Sequence, residues 1–149
     1  MSYHNLLSKT DRAVVAYIIA EGAGLSSDTY PAKRAGNKSL PDTVVHSESA
    51  EEAAPATNVY RIQTAVHVRS HADEGADISE SRVAATFDLF HAVGLAPAIT
   101  SAAQSAVGDL ANFTCQGAYV ASIEQSQDES GAWLDTLNLI LTCNPVYQA

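Results

Sequence analysis

The chain has 149 residues, 46% of them hydrophobic, a formal charge of −9 and an isoelectric point near 4.7. That length suits one domain, residues 1–149, with an ordinary core that needs no disulfide or metal staple. A net negative surface repels phosphate, which argues against a protein that grips DNA broadly. Met1 to Leu7 lacks the basic start of a leader, and the longest apolar run, Ala13 to Ala20, is too short to cross a bilayer. The expected location is the cytoplasm, or a particle assembled there, with no membrane partner.

Ser8 or Thr10 is placed to cap a first helix that runs to about Glu21, with Asp11 in its first turn. Val14, Val15, Ile18 and Ile19 form its apolar stripe, and Gly22 and Gly24 end it. Residues 23–42 then form a long irregular loop with Gly24, Pro31, Gly36, Asn37 and Pro41, and with three basic residues, Lys33, Arg34 and Lys38. Loops of that length in a compact domain serve contacts or stay disordered. A contact arm that orders on assembly is the expectation.

Thr43 to Ser49 reads as a strand, followed by a turn through Ala53, Pro55 and Thr57. In the next strand, Val59 to Ser70, one face carries Tyr60, Ile62, Val66 and Val68, and the other Arg61, Gln63, His67 and Arg69. This alternation marks a layer with one side on a core and one on water or a neighbour. A second helix begins near the cap residue Ser79, buries Val83, Phe87 and Phe90, and stops at Gly94. A third is expected from Pro97 through Ile99, Ala103, Ala106, Val107 and Leu110. Two long strands close the chain, Phe113 to Glu124 and Trp133 to Cys143, joined by a polar turn. Trp133, Leu137, Leu139, Leu141 and Cys143 share one face, and core packing is the default for Trp133.

The fold class expected is α+β: an antiparallel sheet of about four strands in two hairpins, with about three helices packed on one face. If the last hairpin turns near Asp128 or Glu129, Cys115 and Cys143 lie almost opposite each other on the inward parity. A reduced, buried pair is the expected state.

No catalytic, cofactor-binding or metal site is expected, and the chain is not read as an enzyme. There is no glycine-rich phosphate loop and no nucleophile elbow. His46, His67, His71 and His91 with Asp73 and Glu74 are the one cluster to test for a metal, and an exposed polar edge is the plainer reading. Tyr119, Tyr147 and Trp133 are the candidate interface anchors.

Four segments together carry a resemblance: Leu40 to Val45 with the acidic run to Glu52; Val59 to Ser70 with Asp73 and Glu74; the helix from Arg82 to Phe90; and Trp133 to Leu141. The chain resembles the tail-terminator and neck (tail-completion) proteins of tailed bacteriophages, from about Leu6 to Val146. The resemblance implies a structural virion protein without cofactors: a homo-oligomeric ring, usually of six copies, seated on the tail tube protein. It would meet a head-tail connector or head-completion protein on its other side, with DNA passing through the lumen unread. The localisation implied is the virion tail or neck, assembled in the host cytoplasm.

Charge asymmetry suggests that Lys33, Arg34 and Lys38 meet Glu51 and Glu52 of a neighbour, with Glu48, Arg61, His67 and Arg69 as further interface candidates. A head-completion or tail-tube protein is the alternative within that class. Outside it stands a small soluble metal- or ligand-binding enzyme domain using His67, His71, Asp73 and Glu74.

Overall fold

A computed structural model describes residues 6–22, 29–32, 42–55, 57–70, 76–106, 110–127, 129 and 131–144, with the backbone alone at 76–79. In chain order the elements are α1 (Leu6–Glu21), β1 (Thr29–Pro31), β2 (Asp42–Glu52), β3 (Tyr60–Ser70), α2 (Ala76–Asp88), a 3₁₀ turn (Leu89–His91), α3 (Leu95–Ser105), β4 (Thr114–Gln127) and β5 (Trp133–Asn144). The class is α+β, as the alternating strands and helical stripes predict.

The sheet has five strands in the order β1-β2-β3-β5-β4. β2–β3 and β4–β5 are antiparallel hairpins and β3–β5 is also antiparallel, while β1 joins β2 in parallel. The sheet is therefore mixed, not antiparallel throughout. The strand missing from the sequence reading lies inside the stretch expected to be irregular. It has three residues and ends in Pro31, which suits an edge because proline cannot donate to a ladder.

The core forms between one sheet face and the helices. Val45, Ile62, Val66, Val68, Leu137, Leu139, Leu141 and Cys143 point into it from the strands, and Val14, Ile18, Phe90, Ile99 and Ala103 meet them from the helix layer. Burying one such aliphatic side chain contributes about 2 kcal/mol. α1 packs on β1 and β2, α3 on β4, and the two helices on each other.

The helix boundaries correct several expectations. α1 already runs at Leu6, so Ser8 and Thr10 are not caps; the Thr10 hydroxyl donates to the Leu6 carbonyl one turn back (3.0 Å). Ser79 lies inside α2, and α3 begins at Leu95 rather than Pro97. Gly94 does not stop α2, which ends at Asp88; with φ +78° it takes the left-handed position that starts α3. Of the α1 stripe, Ile19 is exposed and Tyr17 takes the inward place instead.

Asp11 departs furthest from its expected role. It lies in the second turn of α1, 1% exposed, and accepts the backbone N–H of Ser47 on β2 (2.6 Å). Beside it the Ser47 and Thr64 hydroxyls share a hydrogen bond across β2–β3 (3.0 Å). The acceptor sits where β2 is irregular: Ser47 pairs with Thr64 and Ser49 with Gln63, so Glu48 is an extra residue, a β-bulge. Asp11→Ala would strand a buried N–H donor; the expected cost is about 2 kcal/mol, with Asp11→Asn retaining part of it, read from denaturant unfolding.

Candidate interaction surface

Side chains on the sheet face away from the helices form rows that cross the strands. From the register these are Asp42–Arg69–Leu134, Val44–His67–Thr136–Glu124, His46–Ala65–Asn138–Ser122, Gln63–Ile140–Tyr119 and Glu51–Arg61–Thr142. The Glu48 bulge creates the last row. Before it the odd residues of β2 face the core, and after it they face outward. That inversion sets Glu51 directly opposite Arg61, with which it forms an exposed ion pair at 2.8 Å, a contact of about 0.5 kcal/mol.

At the β1 end, Arg69 grips both carboxylate oxygens of Asp42, its Nε donating to Oδ1 at 2.6 Å, and also donates to the Tyr30 hydroxyl at 2.9 Å. Tyr30 in turn donates to Asp42. The cluster ties β1, β2 and β3 together. The Arg69–Asp42 hydrogen bonds hold the Arg69 guanidinium protonated well beyond its ordinary range. Burial, then the bond to the Asp42 carboxylate, pushes the Tyr30 phenol up.

Midway along the face, the His67 Nδ1 and the Thr136 hydroxyl share a hydrogen bond of 2.9 Å. Burial lowers the His67 pKa below 6.5, against an opposing pull from Glu48 and with support from the charges of His46 and Arg69. Asn138 donates to the Ser122 hydroxyl and to the Glu124 carboxylate, each at 3.0 Å. A shallow hollow of about 230 Å³ on this face is lined in part by Glu48, Gln63, Asn138 and Ile140.

The predicted interface residues thus divide. Glu48, Glu51, Arg61, His67 and Arg69 gather on or beside the outer face, with Arg69 engaged by Asp42 of its own chain. Glu52 is exposed near the end of the β2–β3 hairpin. Lys33, Arg34 and Lys38 lie outside the described residues, as do His71, Asp73, Glu74 and Tyr147. His46 and His67 lie close together on the outer face, whereas the His91 Nδ1–H donates to the Phe87 carbonyl (2.8 Å) in the turn after α2. Among the described residues no three His, Cys, Asp or Glu side chains converge as metal ligands.

Other exposed apolar groups lie along the last hairpin. Trp133 is 40% exposed, so its expected place in the core is not where it sits; Tyr119 and Ile123 are 59% and 54% exposed. β4 is an edge strand of 14 residues, exposed from Ala121 onward, with neither lysine nor proline to protect it. Two bulges, at Gln116 and Ala121, shift its facing twice. The first turns Tyr119 outward and the second returns Ile123 to the helix side, beyond the cover of the helices. Ile123 was not singled out from sequence, and no residue type marks either bulge. Behind the sheet, Ala16, Ile19, Ala20, Ala98, Ala102 and Ala106 line an open groove of about 560 Å³ between α1 and α3.

No protein-family model matches the chain, and no curated protein matches it. Among solved structures it is similar to a chain of the virion of a native gene transfer agent particle, with a TM-score of 0.54 and 15% identity over 95% of this chain and 98% of that one. At that identity the likeness is one of fold, and it spans both chains almost end to end.

Because His67 takes up a proton less readily folded than unfolded, the unfolded state binds more protons below about pH 6.5. Its contribution to stability is complete above that pH and is lost as pH falls through the lowered folded value. Unfolding midpoints measured between about pH 7.5 and 5 should fall, and His67→Gln should flatten that slope.

Proposed function

We propose that this chain is a structural subunit of a phage-like virion, a tail terminator that closes into a ring on the tail tube and joins it to the head-side neck. The observation that carries this reading is the fold shared over nearly the whole of both chains with a gene transfer agent virion subunit. The sequence resemblance to tail-terminator and neck proteins points the same way. A long edge strand at β4 without lysine or proline, with Tyr119, Ile123 and Trp133 exposed beside it, supports a chain built to meet other subunits.

In this reading the work is done by interface complementarity. Each subunit presents an outer face on which Arg69 pairs with Asp42 and Arg61 with Glu51 of its own chain. Such a surface docks by shape and hydrogen bonding rather than by a single strong pair. Lys33, Arg34 and Lys38 supply the cations that meet Glu51 or Glu52 of the next copy. Six copies at −9 each would carry about −54 formal charges, which favours DNA sliding over sticking wherever those charges line the channel.

Native mass spectrometry with negative-stain imaging of the purified chain tests the proposal. Closed rings that do not lengthen support a terminator; long tubes would instead indicate a tube subunit, and a monomer at every concentration would sink the assembly role. Reversing the charge of Lys33, Arg34 and Lys38 together should weaken ring formation, and rings formed as well as before would count against those three as contacts.

A further inference from the structure

Cys115 and Cys143 are direct cross-strand partners in the β4–β5 ladder, both free thiols and both buried, at 7% and 0% exposure. Residues directly opposed in an antiparallel pair have Cα atoms about 4.5–5.5 Å apart. A disulfide accepts a Cα separation of about 4.4–6.8 Å. The Cα separation that direct pairing sets therefore falls in the range a disulfide accepts.

The position is held from a second direction. The Thr100 hydroxyl on α3 accepts the Cys115 N–H (2.8 Å) and donates to the Cys115 carbonyl (3.1 Å). The Gln104 amide, one turn on, donates to the Phe113 carbonyl (3.1 Å). α3 thus fixes the first residues of β4 against β5. The thiols form a chain of their own: Cys143 hydrogen-bonds to Cys115, and the Cys115 thiol donates to the Gly117 carbonyl (3.3 Å).

We propose that this pair is a covalent modification site, closed to an intrachain disulfide by a small disulfide oxidant and serving as a staple across the open end of the C-terminal hairpin. Cys115 is the attacking sulfur. It lies on the edge strand and is the more exposed of the two thiols, at 7% against 0%. The hydrogen bond from Cys143 lowers its pKa despite burial, whereas that same contact and burial hold Cys143 protonated.

The Cys115 thiolate attacks one sulfur of the oxidant, forming a mixed disulfide and expelling the other half as a thiolate. Cys143 then loses its proton, attacks the Cys115 sulfur and expels the second half. Two protein thiols are oxidised, one external disulfide is reduced to two thiols, and the two cysteine protons end on the expelled sulfurs. A reducing cytoplasm keeps the pair open, and release into oxidising surroundings closes it. The site stands on the ladder geometry and is independent of the virion role.

The probe is oxidised glutathione on the purified full chain. Expected are the loss of both maleimide-reactive thiols under denaturing conditions, a Cys115–Cys143 linked peptide on non-reducing mapping, and a Tm higher by roughly 10 °C for the closed loop of about 28 residues. Cys115→Ala should show no such rise. Two thiols still reactive after oxidation, a linkage between chains instead of within one, or an equal Tm rise in Cys115→Ala would overturn the proposal. The peptide map on the unaltered chain decides it even if that variant folds poorly.

Discussion

The structure depends on one irregularity and the carboxylate that answers it. Glu48 is an extra residue in β2, and the ladder on either side of it runs in opposite facing. A bulge disturbs local pairing and bends the strand, and any backbone donor it leaves in the interior must find an acceptor. Asp11 accepts the Ser47 N–H beside the bulge, from a helix packed over β2. The same contact seats α1 on the sheet and allows the outer end of β2 to turn Glu51 toward Arg61. A regular β2 would direct Glu51 to the core side.

From that constraint follows a division of labour between the two faces. The helix side is mainly apolar where the helices reach it, with Leu137, Leu139 and Leu141 fully buried and the Asp11, Ser47 and Thr64 cluster as its polar exception. The outer side is a mosaic of small neutral pairings: carboxylate with guanidinium, imidazole with hydroxyl, amide with hydroxyl. Among the described residues the hollows on it are small, about 200 and 230 Å³. The two edges differ as well. β1 is short, ends in proline and is tied down by Tyr30, Asp42 and Arg69, whereas β4 is long and open.

The last hairpin combines rigidity at one end with exposure at the other. At its base Thr100 and the facing thiols hold Cys115 in place. Past the second bulge β4 leaves the cover of the helices and shows Ile123 to solvent. An element anchored at its root and exposed toward its tip is suited to reaching a neighbour. A disulfide at the root would stiffen the anchored end without occupying the exposed one.

Local periodicity was enough to read the α+β class, both hairpins and the face split of β3, because alternation and short turns are properties of adjacent residues. It put Cys115 and Cys143 on the inward side, but their direct opposition depends on the two bulges of β4, since the register of Gln127 with Trp133 carried on without them would set the partner of Cys115 two residues past Cys143. It was not enough for Asp11, β1, Trp133 or Ile19. A carboxylate near a helix start reads as a dipole partner until the strand that donates to it is known. A three-residue strand has no periodicity of its own and exists because Tyr30 reaches Asp42 and Arg69. Trp133 and Ile123 have inward parity, yet parity says only which side a residue faces, and the extent of the helix layer decides whether that side is covered. The bulges were invisible for the same reason: an extra residue is defined only against a partner strand, so facing beyond it belongs to the tertiary structure.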